Sequence, residues 1–169
     1  MSAGSALCKE FTDHLDSRQV GYEFDVTPPM HPGDSPARND SCVILKRCGK
    51  KYGMAVRVVF GEDETDPYTV CLAGPCMDGT MFYMHSESDF YDAQQELRKA
   101  NDLIQGLRYN IDFGSGGISF RMPVRVSPGT VGPRCLDAIA RSVSVTEALI
   151  DSLRGDYKID MFYGNDAEW

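Results

Sequence analysis

Residues 88–154 constrain the fold of this chain most strongly, because they read as a helix, a tight hairpin and a second helix. Ser88 is a typical N-cap residue, and Asp89 places a negative charge in the first turn. Apolar residues then recur at helical spacing, with polar residues between them. This apolar stripe consists of Phe90, Ala93, Leu97, Ala100, Ile104 and Leu107. The pattern predicts an amphipathic helix that buries one face.

Two alternating runs follow this helix, at 109–113 and 118–122, with four small residues between them. Gly114, Gly116 and Gly117 can supply the positive φ angles of a hairpin connection, so the runs predict two antiparallel strands. A second amphipathic helix begins near Pro133 and ends near Gly155. Its apolar positions are Leu136, Ile139, Ala140, Val143, Leu149, Ile150 and Leu153.

The front half of the chain reads as one short helix followed by four or five strands. Apolar spacing predicts the helix at 5–18, and a proline-rich loop is predicted at 27–40. Strands are predicted at 22–26, 42–47, 54–60, 68–73 and 80–84. Because short connections suit hairpins and not crossovers, the order α-β(4-5)-α-β-β-α predicts an antiparallel α+β fold. We expect a single domain at 1–156 and a C-terminal tail at 157–169.

Charge and hydropathy exclude several function classes. The chain has 25 acidic against 17 basic residues and a formal net charge of −8, so it lacks the basic footprint of a nucleic-acid or anionic-membrane binder. It contains no apolar run long enough to span a bilayer and no secretory leader pattern. The sequence therefore predicts a cytoplasmic protein that binds neither nucleic acid nor membrane.

Six cysteines raise the question of a metal site or a catalytic thiol. Cys71 and Cys76 have four residues between them, but Cys42 and Cys48 have five, more than the two to four of a usual zinc knuckle, and they flank an apolar run. We therefore expect small buried thiols, no metal and no cofactor, and keep a four-cysteine zinc site as an alternative. The histidines His14, His31 and His85 belong to no local catalytic motif, so no catalytic residue is assigned.

Aromatic residues are abundant around the middle strands, the first long helix and the hairpin. Most are expected in the core, but a remaining exposed patch would mark a partner site. The candidates for this aromatic surface are Phe82, Tyr83, Tyr91, Phe113 and Phe120.

The back half of the chain resembles the YbjN family of small bacterial proteins, whose fold is similar to that of type III secretion chaperones. The resemblance lies in the leucine-containing helix followed by "LRYNIDFGSGGISFRMPVRV" and then by "CLDAIARSVSVTEALIDSL". It covers residues 88–154 by pattern and the front half by the order of elements. It implies a type III secretion chaperone-like fold and a regulator of sensory transduction in the bacterial cytoplasm, without enzymatic activity.

These observations lead to one functional hypothesis and two alternatives. The hypothesis is a non-enzymatic protein-binding module, chaperone-like or a regulatory adaptor, whose protein partner is unnamed and which can also form a homodimer. One alternative is an enzyme or zinc protein that uses the cysteine pairs. The other is an acidic inhibitor or immunity-type partner of a basic protein, consistent with the charge of −8.

Overall fold

The computed structural model describes residues 2–75, 81–84, 87–157 and 159–162, of which 81–83, 87 and 159–162 are described through their backbone. Within these residues the chain forms three helices and eight strands. The helices are α1 (Ala3–Ser17), α2 (Glu87–Asn101) and α3 (Val131–Asp156). The strands are β1 (Glu23–Thr27), β2 (Ala37–Cys48), β3 (Met54–Phe60), β4 (Thr69–Gly74), β5 (Met81–Met84), β6 (Arg108–Ile111), β7 (Gly117–Arg125) and β8 (Ile159–Phe162). This order confirms the predicted α+β class and adds β8.

All eight strands belong to one sheet, and every pairing in it is antiparallel. Ile118 of β7 pairs with Phe82 of β5 and with Ile111 of β6, so β5 and β6 lie on opposite edges of β7. Phe120 of β7 likewise pairs with Gly74 of β4 and Tyr109 of β6. The strands β4 and β5 therefore lie end to end along the same edge of β7, while β6 lies on the other edge.

One face of the sheet carries the core. In register across β2, β3, β4 and β7, Val43 pairs with Val58, Val58 with Leu72 and Leu72 with Met122, and all four are buried. Because paired residues point to the same face of a sheet, this row forms an apolar layer. Buried residues of the three helices belong to the same hydrophobic cluster. We call this face of the sheet the core face.

Helix α1 shows how spacing determines packing. Leu7, Phe11 and Leu15 recur every four residues and are at most 3% exposed, so one face of α1 packs into the core. Ser2 begins the helix, since its hydroxyl accepts a hydrogen bond from the backbone N–H of Ser5. The helix contacts β2, β3 and α3.

Two segments extend the sheet beyond its predicted limits. Strand β2 begins at Ala37, inside the predicted 27–40 loop, where Ala37 pairs with Thr27 of β1. Within the predicted tail, β8 pairs with β5 and so adds an edge strand after residue 156. Residues 163–169 of that tail lie outside the described residues. None of the described helices is both long and apolar enough to cross a membrane.

The β6–β7 hairpin has unequal arms. Its turn is closed at Asp112, whose carbonyl accepts from Gly116 N–H at 2.6 Å and whose N–H donates to the Gly117 carbonyl at 2.9 Å. Strand β6 therefore ends at Ile111, two residues before the predicted limit at 113. Strand β7 instead runs on to Arg125, and β6 pairs with it only as far as Arg121. The outer edge of β7 has no β6 partner beyond Arg121.

This unpaired edge explains how a proline fits inside β7. The Val126 N–H donates to the Tyr68 carbonyl at 2.9 Å, so Val126 directs its backbone groups toward the β4 side. Along an antiparallel strand, the backbone N–H and carbonyl of successive residues point alternately to the two neighbouring strands. The backbone nitrogen and carbonyl of Pro123, three residues before Val126, therefore face the outer edge. Because β6 has already ended there, no ladder hydrogen bond requires the N–H that proline lacks.

Candidate functional site

Two of the predicted surface aromatics form a solvent-exposed pair. Tyr91 of α2 is 71% exposed and Phe113 in the hairpin turn is 46% exposed, and their ring centroids are 5.7 Å apart. Phe113 also contacts the buried Phe90, again with ring centroids 5.7 Å apart. The core thus supports one ring of the pair while both rings present surface to solvent. We call Tyr91 and Phe113 the aromatic pair.

The other predicted aromatics do not join this pair in the described structure. Phe120 is 1% exposed, because its side chain lies on the core face of β7, whereas those of its neighbours Ser119 and Arg121 lie on the other face. The ring centroids of Phe120 and Tyr109 are 6.0 Å apart. The assignment of Phe120 to the surface is therefore wrong. Phe82 and Tyr83 belong to β5, and their side chains lie outside the described residues.

The cysteines are spread over the sheet. Cys42 pairs with Val59 and Cys48 with Met54, which are five residues apart on β3, so roughly 16 Å separates the two cysteines along β2. Cys42 pairs with Val59, which pairs with Cys71, so about 10 Å separates the chains at these two cysteines. Among the described residues no group of three or more His, Cys, Asp or Glu side chains is placed to hold a metal ion. Cys76 lies outside the described residues.

Burial raises the pKa of four of the described thiols. It raises the pKa of Cys42 and Cys135 to about 12 and that of Cys8 to about 11. The Arg121 guanidinium lies 3.3 Å from the Cys71 sulfur, yet burial outweighs it and the pKa of Cys71 is also raised. Because the thiolate is the nucleophilic form, these four side chains lack the electrostatic activation of a catalytic cysteine.

The raised thiol pKa values predict a loss of stability at alkaline pH. The unfolded thiol has a pKa near 9, so the stability is intact below pH 9 and is lost as the pH rises toward 12. Between pH 8 and pH 10.5, we expect wild type to lose roughly 2 kcal/mol more unfolding free energy than Cys135→Ala. Urea denaturation at both values tests this, and equal losses would contradict it.

The two described histidines, His14 and His31, lie on separate segments of the chain. His14 packs from α1 against Gly132 of α3, and its buried Nε2 atom has no hydrogen-bond partner. His31 is exposed in the connection between β1 and β2. His85 lies outside the described residues.

A groove that the sequence analysis missed lies beside the unpaired edge of β7. Its volume is about 660 Å³, and it is bounded by residues 104–106, by the end of β7 and by the first turns of α3. Ile104, Pro123 and Pro133 provide accessible apolar surface, and Arg125, Arg134 and Arg141 also line the groove. We call this space the arginine groove.

The geometry of α3 accounts for one wall of the arginine groove. Arg134, Asp137, Ala138 and Arg141 follow the spacing i, i+3, i+4 and i+7, which places them on one helical face. Arg141 pairs with Asp137 at 3.1 Å, and Arg125 pairs with Asp66 at 2.7 Å. The helical spacing was visible in the sequence, but the opposite wall comes from residues distant along the chain.

Taken together, the fold is that of an α+β protein with an antiparallel sheet, whose candidate sites are an exposed aromatic pair and a cationic groove. Its fold is similar to a crystal structure described as "YbjN, a putative transcription regulator from E. coli", with a TM-score of 0.54. The match has 9% sequence identity and covers 88% of this chain and 91% of that chain. The YbjN resemblance predicted from the sequence is thus confirmed at the level of the fold. No family model and no curated protein matches the sequence.

Proposed function

We propose that the protein is a non-enzymatic, regulatory protein-binding module that contacts its partner through the aromatic pair. The observation that carries this proposal is the exposure of Tyr91 and Phe113, at 71% and 46%. Aromatic side chains are common energetic anchors of protein interfaces, because they bury a large area with little loss of conformational entropy. Phe113 is held against Phe90, so part of the surface is ordered before a partner binds.

A regulatory role is supported by the fold likeness to YbjN, which is described as a transcription regulator candidate. Because fold alone does not define function, the main support for protein binding is the exposed aromatic pair. The protonated state of the described buried thiols gives the enzyme alternative no support.

Replacing both members of the aromatic pair is expected to abolish partner capture. The amount of partner captured by the variant Tyr91→Ala with Phe113→Ala should be lower than that of wild type by a factor of about ten or more, since two interface anchors are lost. The measurement is quantitative mass spectrometry of proteins captured from native-host extract by the tagged, purified chain. A melting temperature within about 3 °C of wild type would show that the variant is folded.

The matched control is Tyr68→Ala, because Tyr68 is also an exposed tyrosine, at 42%. This control should capture the same partner in the same amount as wild type. If the double variant and wild type capture identical proteins in equal amounts, the aromatic pair is not the binding surface.

A further inference from the structure

We propose that the arginine groove binds a short, extended, acidic segment of a partner protein. Carboxylates of the segment would lie on Arg134 and Arg141, and an apolar side chain would lie against Pro123 and Pro133. This inference rests on the proposed function, because it assigns chemistry to the partner of a protein-binding module. It concerns a site separate from the aromatic pair.

The shape of the groove favours an extended segment. The outer edge of β7 has no β6 partner beyond Arg121, and this edge forms one side of the groove. Arg125 has the same strand phase as Pro123, so its backbone N–H and carbonyl also face the outer edge. An extended chain beside Arg125 could exchange hydrogen bonds with these groups, as in strand addition to a sheet edge.

Pro123 limits this backbone pairing. It has no N–H to donate at the edge, and Gly106 lies beside its carbonyl, so a continuous added strand cannot form along β7. The groove therefore favours a short segment held largely by its side chains.

The charges of the groove favour carboxylates. Three arginines and one carboxylate, that of Asp137, line the groove, and the Arg125 guanidinium is also paired with Asp66. Arginine binds carboxylates through two parallel hydrogen bonds, which gives the contact direction as well as strength. Arg134 and Arg141 are two turns apart on α3, or about 10 Å, which about three residues of extended chain would span.

The ion pairs already present do not close the site. The side chains of Arg141 and Asp137 are 57% and 67% exposed, and that of Arg125 is 73% exposed. Exposed ion pairs contribute little, so a ligand carboxylate can compete for these guanidinium groups. Arg134 forms no ion pair within the described part of the chain, which leaves it ready for an anionic ligand.

The charge of the whole molecule restricts the ligand to a short acidic segment. The net charge is −8, so a long polyanion such as RNA would be repelled by the surface outside the groove. At physiological ionic strength this repulsion is screened beyond about 8 Å, and a segment confined to the groove meets mainly the arginines.

The test is fluorescence anisotropy with a labelled short peptide of alternating glutamate and leucine. The variant Arg134→Ala with Arg141→Ala should weaken binding at least about tenfold. The matched control is Arg18→Ala with Arg98→Ala, which removes the same charge from exposed positions just after α1 and on α2. This control should change the affinity less than about twofold. Circular dichroism of each variant would verify its fold.

Three results would overturn the inference. The first is no binding of the peptide up to about 1 mM. The second is an equal loss of affinity in the groove variant and the control variant, which would show a general charge effect. The third is equally tight binding of a uridine oligonucleotide with the same number of charges. Because the probe is a peptide and the groove is separate from Tyr91 and Phe113, this test can fail while the aromatic-pair test succeeds.

Discussion

Gly49→Ala is expected to lower the free energy of unfolding by about 3 kcal/mol. Gly49 follows β2 with a φ of +95°, a conformation that strains an alanine. A Cβ atom there would also lie 2.3 Å from Glu147 Oε1 and 2.8 Å from Val143 Cγ1. The substitution therefore adds a steric clash with α3 to backbone strain.

The clash is costly because Glu147 holds the β2–β3 turn. Its Oε1 accepts hydrogen bonds from the backbone N–H groups of Lys51 and Tyr52, at 2.8 and 3.0 Å. Asp151, one turn further along α3, accepts from the Lys51 ammonium and the Tyr52 hydroxyl, and these two bonds lower the pKa of its carboxyl group. Moving Glu147 away from a new methyl group would leave two backbone donors unpaired.

Gly33→Ala is the matched control for backbone strain. Gly33 has a φ of +102°, and no atom lies within 4 Å of the position of a Cβ. Its substitution should cost only the strain, about 1 kcal/mol. Urea denaturation followed by circular dichroism measures both variants, and equal losses would refute the role of the Glu147 clash.

Local patterns in the sequence predicted much of the fold. The period of Leu7, Phe11 and Leu15 is helical, and the alternation of Val56 and Val58 is that of a strand, whatever the element contacts. The start of β2 at Ala37 was not predictable in this way. Ala37 belongs to the sheet because it pairs with Thr27, and a proline-rich segment separates these two residues along the chain.

The candidate sites show the same division. Phe113 and Phe120 both occur in alternating runs, but periodicity does not tell where a strand ends. The turn closed by Asp112 leaves Phe113 exposed, whereas Phe120 continues within β7 and is buried. The arginine groove could not be predicted because four separate parts of the chain line it, and their meeting depends on how far β6 extends along β7.

Gly132→Ala is expected to lower the free energy of unfolding by about 3 kcal/mol, because the His14 side chain of α1 occupies the space that a methyl group at Gly132 of α3 would need. A Cβ atom there would lie 2.2 Å from His14 Cγ and 2.6 Å from His14 Cβ. The start of α3 cannot easily move away, since Glu10 Oε1 accepts hydrogen bonds from the N–H groups of Gly129 and Val131.

Removing the imidazole should rescue this variant. His14→Ala alone is expected to lower the free energy of unfolding by about 1 kcal/mol. The double variant, His14→Ala with Gly132→Ala, should have a free energy of unfolding within about 1 kcal/mol of that of His14→Ala, because the ring that obstructs the new methyl group is gone. Gly155→Ala is the control on the same helix, because no atom lies within 4 Å of the position of its Cβ. Alanine there should raise the free energy of unfolding, by about 1 kcal/mol at most. Urea denaturation of the four variants gives the coupling energy, and a double variant as unstable as Gly132→Ala would show that His14 is not the obstacle.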